Sequence, residues 1–194
     1  MSTAANSAID IAARALTLIG ANPISSFADA STEATIANNM YEDVARSSLC
    51  ATRWRFATNQ SQLNALTAPP TGRFDIAHQL PSNLLMLHAL TVNDMLIQYS
   101  VYGDKVFSNT TASDVVVADY TFRASEVDWP SYFTVAVQLQ LAAIFASSIA
   151  RDDGLTQVME QKAERLMAKA RNLDSQQQTT RKLVTNRFRT ERLS

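Results

Sequence analysis

The residues able to do chemistry are few and poorly spaced for it. His78 and His88 stand ten residues apart in a stretch of β-type pattern, with neither the i, i+4 helical placement of a zinc-binding pair nor a cysteine nearby. Two unrelated histidines, at the surface or half-buried, are expected. Asp152 and Asp153 have the chemistry to hold a cation or pass a proton, but adjacent carboxylates at a helix junction serve more simply as a cap. The single cysteine, Cys50, excludes an intrachain disulfide and a cysteine-based zinc cluster, and fits a reducing compartment during synthesis. There is no glycine-rich phosphate loop, no nucleophile elbow and no Cys-His constellation. No catalytic, metal or cofactor-binding residue is assigned, no cofactor is expected, and an enzyme is not the expected role.

The cations are more informative. Arg53-Trp54-Arg55-Phe56 alternates guanidinium groups with rings, and in an extended segment the two sets point to opposite sides. Such a quartet can stack bases and pair phosphates; it can equally be a crossing segment whose rings close a core, the reading favoured here because no wider basic surface surrounds it. Residues 181–194 contain Arg181, Lys182, Arg187, Arg189 and Arg192 against Glu191 alone. The whole chain carries −1, so this segment holds +4 and the 180 residues before it −5. One reading of the segment is sequence-independent nucleic-acid binding through phosphates. Another is an arm that orders on a protein partner, with Leu183, Val184, Phe188 and Leu193 as anchors between the cations. A solubilising tail is the third. The apolar anchors favour the docking arm.

The elements that must position these groups follow from periodicity. Ile9, Ala12, Ala13, Leu16 and Ile19 recur at helical spacing, and Gly20 and Pro23 stop that helix, Gly20 by supplying a left-handed cap. Asp29, Ser31 and Thr32 offer caps for a second helix over about 31–51, with Met40, Tyr41 and Val44 inward and Asn38, Asn39, Glu42, Asp43 and Arg46 outward. The breaker cluster Ala68-Pro69-Pro70-Thr71-Gly72 opens a different pattern. Ile97, Tyr99 and Val101 alternate toward Gly103-Asp104, predicting a hairpin into Lys105-Val106-Phe107; Leu87, Ala89 and Thr91 predict an earlier strand, and Val116, Ala118, Tyr120 and Phe122 a later one. Helical pattern resumes after Pro130, apolar on every side from Phe133 to Ile149, and then as a stripe of Leu155, Val158, Met159, Ala163, Leu166, Ala170 and Leu173. No apolar run approaches the roughly 20 residues of a membrane span, and the start lacks signal-peptide order, so a soluble protein without a membrane anchor is expected.

The turn after the first helix carries a family likeness. Ile19, Gly20, Pro23, Ile24 and Ser26, followed by Trp54 and Phe56, resemble the Ile-Gly-x-x-Pro corner and Trp-x-Phe element of the tail tubular protein A family, the head-to-tail adaptors of short-tailed phages. The likeness is strongest over residues 8 to about 60. It implies a mainly α protein, a bundle of about four helices carrying a small β platform, which the strand pattern above reads as an antiparallel sheet of three to five strands. Residues 1–67 and 126–180 would form the bundle, 68–125 the β-rich insert, and 181–194 a basic arm docking on the portal. It also implies a virion component at the head-tail junction, made in the host cytoplasm and assembled as a dodecameric ring. The ring would join the portal protein to a tail nozzle or tube protein and pass DNA through its channel. The alternative is a nucleic-acid-binding protein using the basic arm.

Overall fold

Local capping starts each early helix where the sequence offers a hydroxyl. In a computed structural model, which describes residues 4–67 and 72–177, the Ser7 hydroxyl accepts the Asp10 amide at 3.1 Å and opens α1 (Ala8–Leu18). That helix ends with Gly20 at φ +77°, the Gly20 amide bonding the Thr17 carbonyl and the Ala21 amide the Leu16 carbonyl. Two such bonds around a left-handed residue close the helix end fully. The face α1 buries is Ile11, Ala12, Ala15 and Leu16, turned from the expected stripe, of which Ile9, Ala13 and Ile19 are only half-buried. Small residues at 12 and 15 let α1 lie close on the later helix α3.

Helix α2 (Thr32–Cys50) starts at Ser31, whose hydroxyl accepts the Ala34 amide at 3.1 Å. Tyr41 and Val44 are buried as expected, while Met40 is half-buried at the edge. Trp54 is extended, but Arg55–Ala57 turn into a short 3-10 helix, so strict alternation fails in the quartet. Its rings nonetheless both turn inward, Trp54 fully buried and Phe56 packed against the same core.

The expectation of a mainly α chain with a small β platform is overturned. The described residues are 46% helical and 21% strand, with seven strands in two antiparallel sheets, a mixed α/β fold. The larger sheet runs β1 (Thr58–Gln62), β7 (Val116–Phe122), β3 (Leu84–Val92), β4 (Met95–Leu96); the smaller runs β2 (Ile76–Gln79), β6 (Lys105–Ser108), β5 (Tyr99–Tyr102). The β5–β6 hairpin turns at Gly103-Asp104 with Tyr102 opposite Lys105, as the sequence predicts. A second hairpin, not anticipated, joins β3 to β4 through Asn93-Asp94, at φ +50° and +64°. Positive φ at both central residues is what a two-residue turn with strand-matching twist requires, and Asn and Asp tolerate it best after glycine. β1 was missed because Thr-Asn-Gln-Ser-Gln has no apolar alternation; pairing with β7 makes it a strand.

Two hydrophobic clusters result. One gathers the helices around Trp54 and Phe133; the other lies in the sheets around Leu63, Leu80, Leu90, Val106, Val116, Ala118 and Tyr120, with Phe122 packed against both. Helix α3 (Ser131–Phe145) is buried nearly all round and touches α1, α2 and α4. It runs on through one π-helical turn, Ala146–Ala150, to Arg151 in the left-handed region. Together Ser131–Ala150 form one helix long and apolar enough to cross a membrane, contrary to the sequence expectation; 61% of its apolar window is buried by the rest of the fold. Asp152 caps α4 (Asp153–Ser175) by accepting the Leu155 amide at 2.9 Å. Its inner face is Met159, Ala163, Met167, Ala170 and Asp174, whereas Val158 and Leu173 of the expected stripe stay exposed.

Candidate functional site

Residues 25–29, the far side of the corner, are held by one carboxylate. Asp29 accepts the amides of Ser25 and Ser26 at 2.9 and 3.0 Å and the Ser25 hydroxyl at 3.0 Å, while the Ser26 hydroxyl accepts the Ala28 amide. Those amide bonds hold the Asp29 carboxyl below the usual carboxylate range. Ile24 is buried in the helical core, Pro23 is exposed, and Phe27 leans on Tyr41 with ring centroids 5.7 Å apart. Sequence reasoning offered Asp29 as a helix cap; its role is to close the loop one turn earlier.

The other half of the motif lies at the opposite end of α2. The Trp54 ring nitrogen donates to the Ser48 carbonyl at 2.8 Å, and Trp54 and Phe56 each meet Phe133 of α3 at 5.0 Å. Trp129 stands edge-on to the same Phe133 at 4.9 Å, so four rings fasten α2, the 3-10 turn and α3 together. Next to them Asp174, 4% exposed, accepts the Tyr132 hydroxyl at 2.8 Å and the Arg55 amide at 3.1 Å, tying the end of α4 to both. Burial and that bond push the Tyr132 hydroxyl up to about 12.

Arg123, at the exit of β7, is the second fastening. It reaches Glu42 of α2 at 3.0 Å, Glu126 at 2.5 Å and the Ala124 carbonyl, and its guanidinium lies 5.4 Å over the Trp129 ring. Glu126 also accepts the Tyr41 hydroxyl at 3.1 Å, and Glu42 pairs with Arg46 at 2.7 Å. Burial opposes the Arg123 charge, but its bonds to Glu42 and Glu126 outweigh that and raise its pKa; burial first, then Glu126, raise that of Tyr41. Nothing in the spacing of Glu42, Arg123 and Glu126 announced this network, because its members come together only when the strand meets the helix.

The groups considered for catalysis are scattered. His78 is buried in β2 with no partner for Nδ1, and His88 in β3 contacts the Thr121 hydroxyl at 2.8 Å; burial lowers both pKa values. Burial pushes the half-buried Cys50 thiol up. Among the described residues no three His, Cys, Asp or Glu side chains are grouped to hold a metal ion. Arg53 and Arg55 line, with Asp119 and the polar side of β1, a hollow of about 610 Å³. A cleft between α2 and α4 holds two adjoining hollows of about 600 and 480 Å³ over Ala143 and Ile144. The predicted docking arm, Arg181, Lys182, Leu183, Val184, Arg187, Phe188, Arg189, Arg192 and Leu193, lies outside the described residues, as does the breaker cluster Ala68–Gly72 apart from Gly72.

The arrangement is one of fastenings and surfaces. A family model described as "Tail tubular protein" matches residues 7–180, spanning both sheets and the four α-helices of the described residues. A search of curated proteins found no match.

Proposed function

The chain belongs to the tail tubular protein family and is thus a structural tail component of a phage virion; from that premise we propose that it is the head-to-tail adaptor, a ring joining the portal to the tail. The reading rests chiefly on the family match over residues 7–180. The corner built from Ile19, Gly20, Pro23, Ile24 and Ser26, with Trp54 and Phe56 at the other end of α2, supports the adaptor branch. One subunit surface meeting a different surface of the next, with a rotation that closes, generates such a ring, and twelve copies are the number carried by the resemblance. Residues 68–125, joined by β1 through its pairing with β7, serve as the face toward the tail nozzle or tube, and 181–194 as the arm toward the portal. The sheet cluster, which takes in Leu63, supports that face as one unit, with Phe122 packed against both clusters. An acidic body of −5 suits a channel wall that does not retain passing DNA.

Electron microscopy of the purified protein mixed with portal rings tests the reading. Closed rings stacked coaxially on the portal are expected, with the protein present in purified particles at a fixed ratio to portal. A protein that never co-sediments with portal and is absent from the head-tail junction of particles overturns it. Nucleic-acid binding through the cations of 181–194 is the competing reading.

A further inference from the structure

Helices α2 and α4 both rest on α3 and leave a cleft between them whose two walls differ in kind from its floor. Asp43 of α2 and Glu160 and Glu164 of α4 stand along its rims, and no lysine or arginine lines it among the described residues. Beneath them Val44, Ala143 and Ala163 are buried and Ile144 is half-buried, an apolar floor. Three carboxylates repel phosphates, so the cleft is no nucleic-acid site. It suits an extended basic segment with apolar side chains between its cations.

This chain contains such a segment. We propose that residues 181–194 occupy the cleft between α2 and α4 of their own chain, Leu183, Val184 and Phe188 against the floor and Lys182, Arg187 and Arg189 at the carboxylates. Reach permits it. Glu164 lies about 20 Å back along α4 from Gln177 at about 1.5 Å per residue. Lys182, five residues beyond Gln177, reaches about 17 Å at about 3.3 Å per residue, which with its own side chain brings its amine to Glu164 but not to Glu160 one turn further back; Phe188 reaches about 36 Å and passes both. Attachment also selects the source. A short tether keeps the segment at an effective concentration in the millimolar range, far above that of other copies in dilute solution. The seat concerns the protein before it meets a partner and does not depend on the adaptor reading. If both hold, portal docking is an exchange of one seat for another.

Zero-length carbodiimide cross-linking of the full chain, at low micromolar concentration in an equal mixture of unlabelled and 15N-labelled protein, tests it. Lys182 joined to Glu164 in isotopically pure pairs is the expected product. Mixed-isotope pairs would place the segment on another copy and overturn the proposal, as would the absence of a link from Lys182 to Glu164. The variant carrying Leu183→Ser, Val184→Ser, Phe188→Ser and Leu193→Ser keeps every cation and should lose at least fivefold in yield. Undiminished yield would mean that tethered charge alone makes the link, with no seat on the floor.

Discussion

At the scale of single residues, Gly20 and Arg123 hold the corner and the joint between helix and sheet. A Cβ placed on Gly20 would meet nothing within 4 Å, so its need is conformational, set by φ +77°. Gly20→Val should cost about 1 kcal/mol or more in urea unfolding, and Gly20→Asn distinctly less because Asn tolerates the left-handed region. Equal losses would point to crowding instead. Arg123 and Glu126 side chains are 18% and 17% exposed, so Arg123→Met strands a half-buried carboxylate and should cost about 2–3 kcal/mol. Arg46→Ala, at a pair 57% and 47% exposed, should cost at most about 0.5 kcal/mol. The Arg123 bond, against burial and with help from Arg46, holds the Glu42 carboxyl below its usual range. A depressed carboxylate stabilises the fold above the ordinary glutamate value of about 4.3, and that stability is lost as pH falls through the folded value. Between pH 5 and about 3, wild-type stability should therefore fall more steeply than that of Arg123→Met; parallel curves would remove Glu42 from the account.

At the scale of elements, α3 is the part on which the others rest. Phe133 is fully buried beneath three other rings, whereas Val135, two residues on, is 45% exposed. Phe133→Ala should cost about 3–5 kcal/mol, and Val135→Ala under about 1 kcal/mol. Denaturant midpoints at constant slope measure both, and a small loss at 133 would show that the ring cluster repacks around the gap. The same burial explains why a helix with membrane-like length and composition sits inside this fold. Its apolar surface is taken up by α1, α2 and α4, and its polar side chains are accommodated, Gln140 by the Ser48 hydroxyl.

At the scale of the whole molecule, residues 181–194 decide between docking and phosphate binding. The four-serine variant retains +4, so attraction to DNA should keep nearly the same salt slope. An anchored interface should weaken by several kcal/mol, since truncating one good anchor costs about 2 kcal/mol or more. The expectation is a normally folded variant, judged by its unfolding midpoint, that fails to attach to portal-bearing heads in a sedimentation assay. Normal attachment would leave docking to charge or to the described body.

The amino-acid sequence determined what local forces determine. The ends of α1 and α2 follow from Gly20 and Ser31, the start of α4 from Asp152, and the β5–β6 turn from Gly103-Asp104, because caps and tight turns are satisfied within a few residues. The corner motif was legible for the same reason, although Asp29 as its organiser was not. Tertiary structure decided the rest. β1 is polar and becomes a strand only by pairing with β7, where Gln62 stands opposite Val117, 55 positions further along the chain. α1 and α4 carry apolar residues on more than one side, so packing against α3 chose Ile11 over Ile9 and Met167 over Leu173. Asp174 and Arg123 carry no local signal in the sequence; burial withdrew them from water and left them the partners brought by folding, Tyr132 and the Arg55 amide for one, Glu42 and Glu126 for the other.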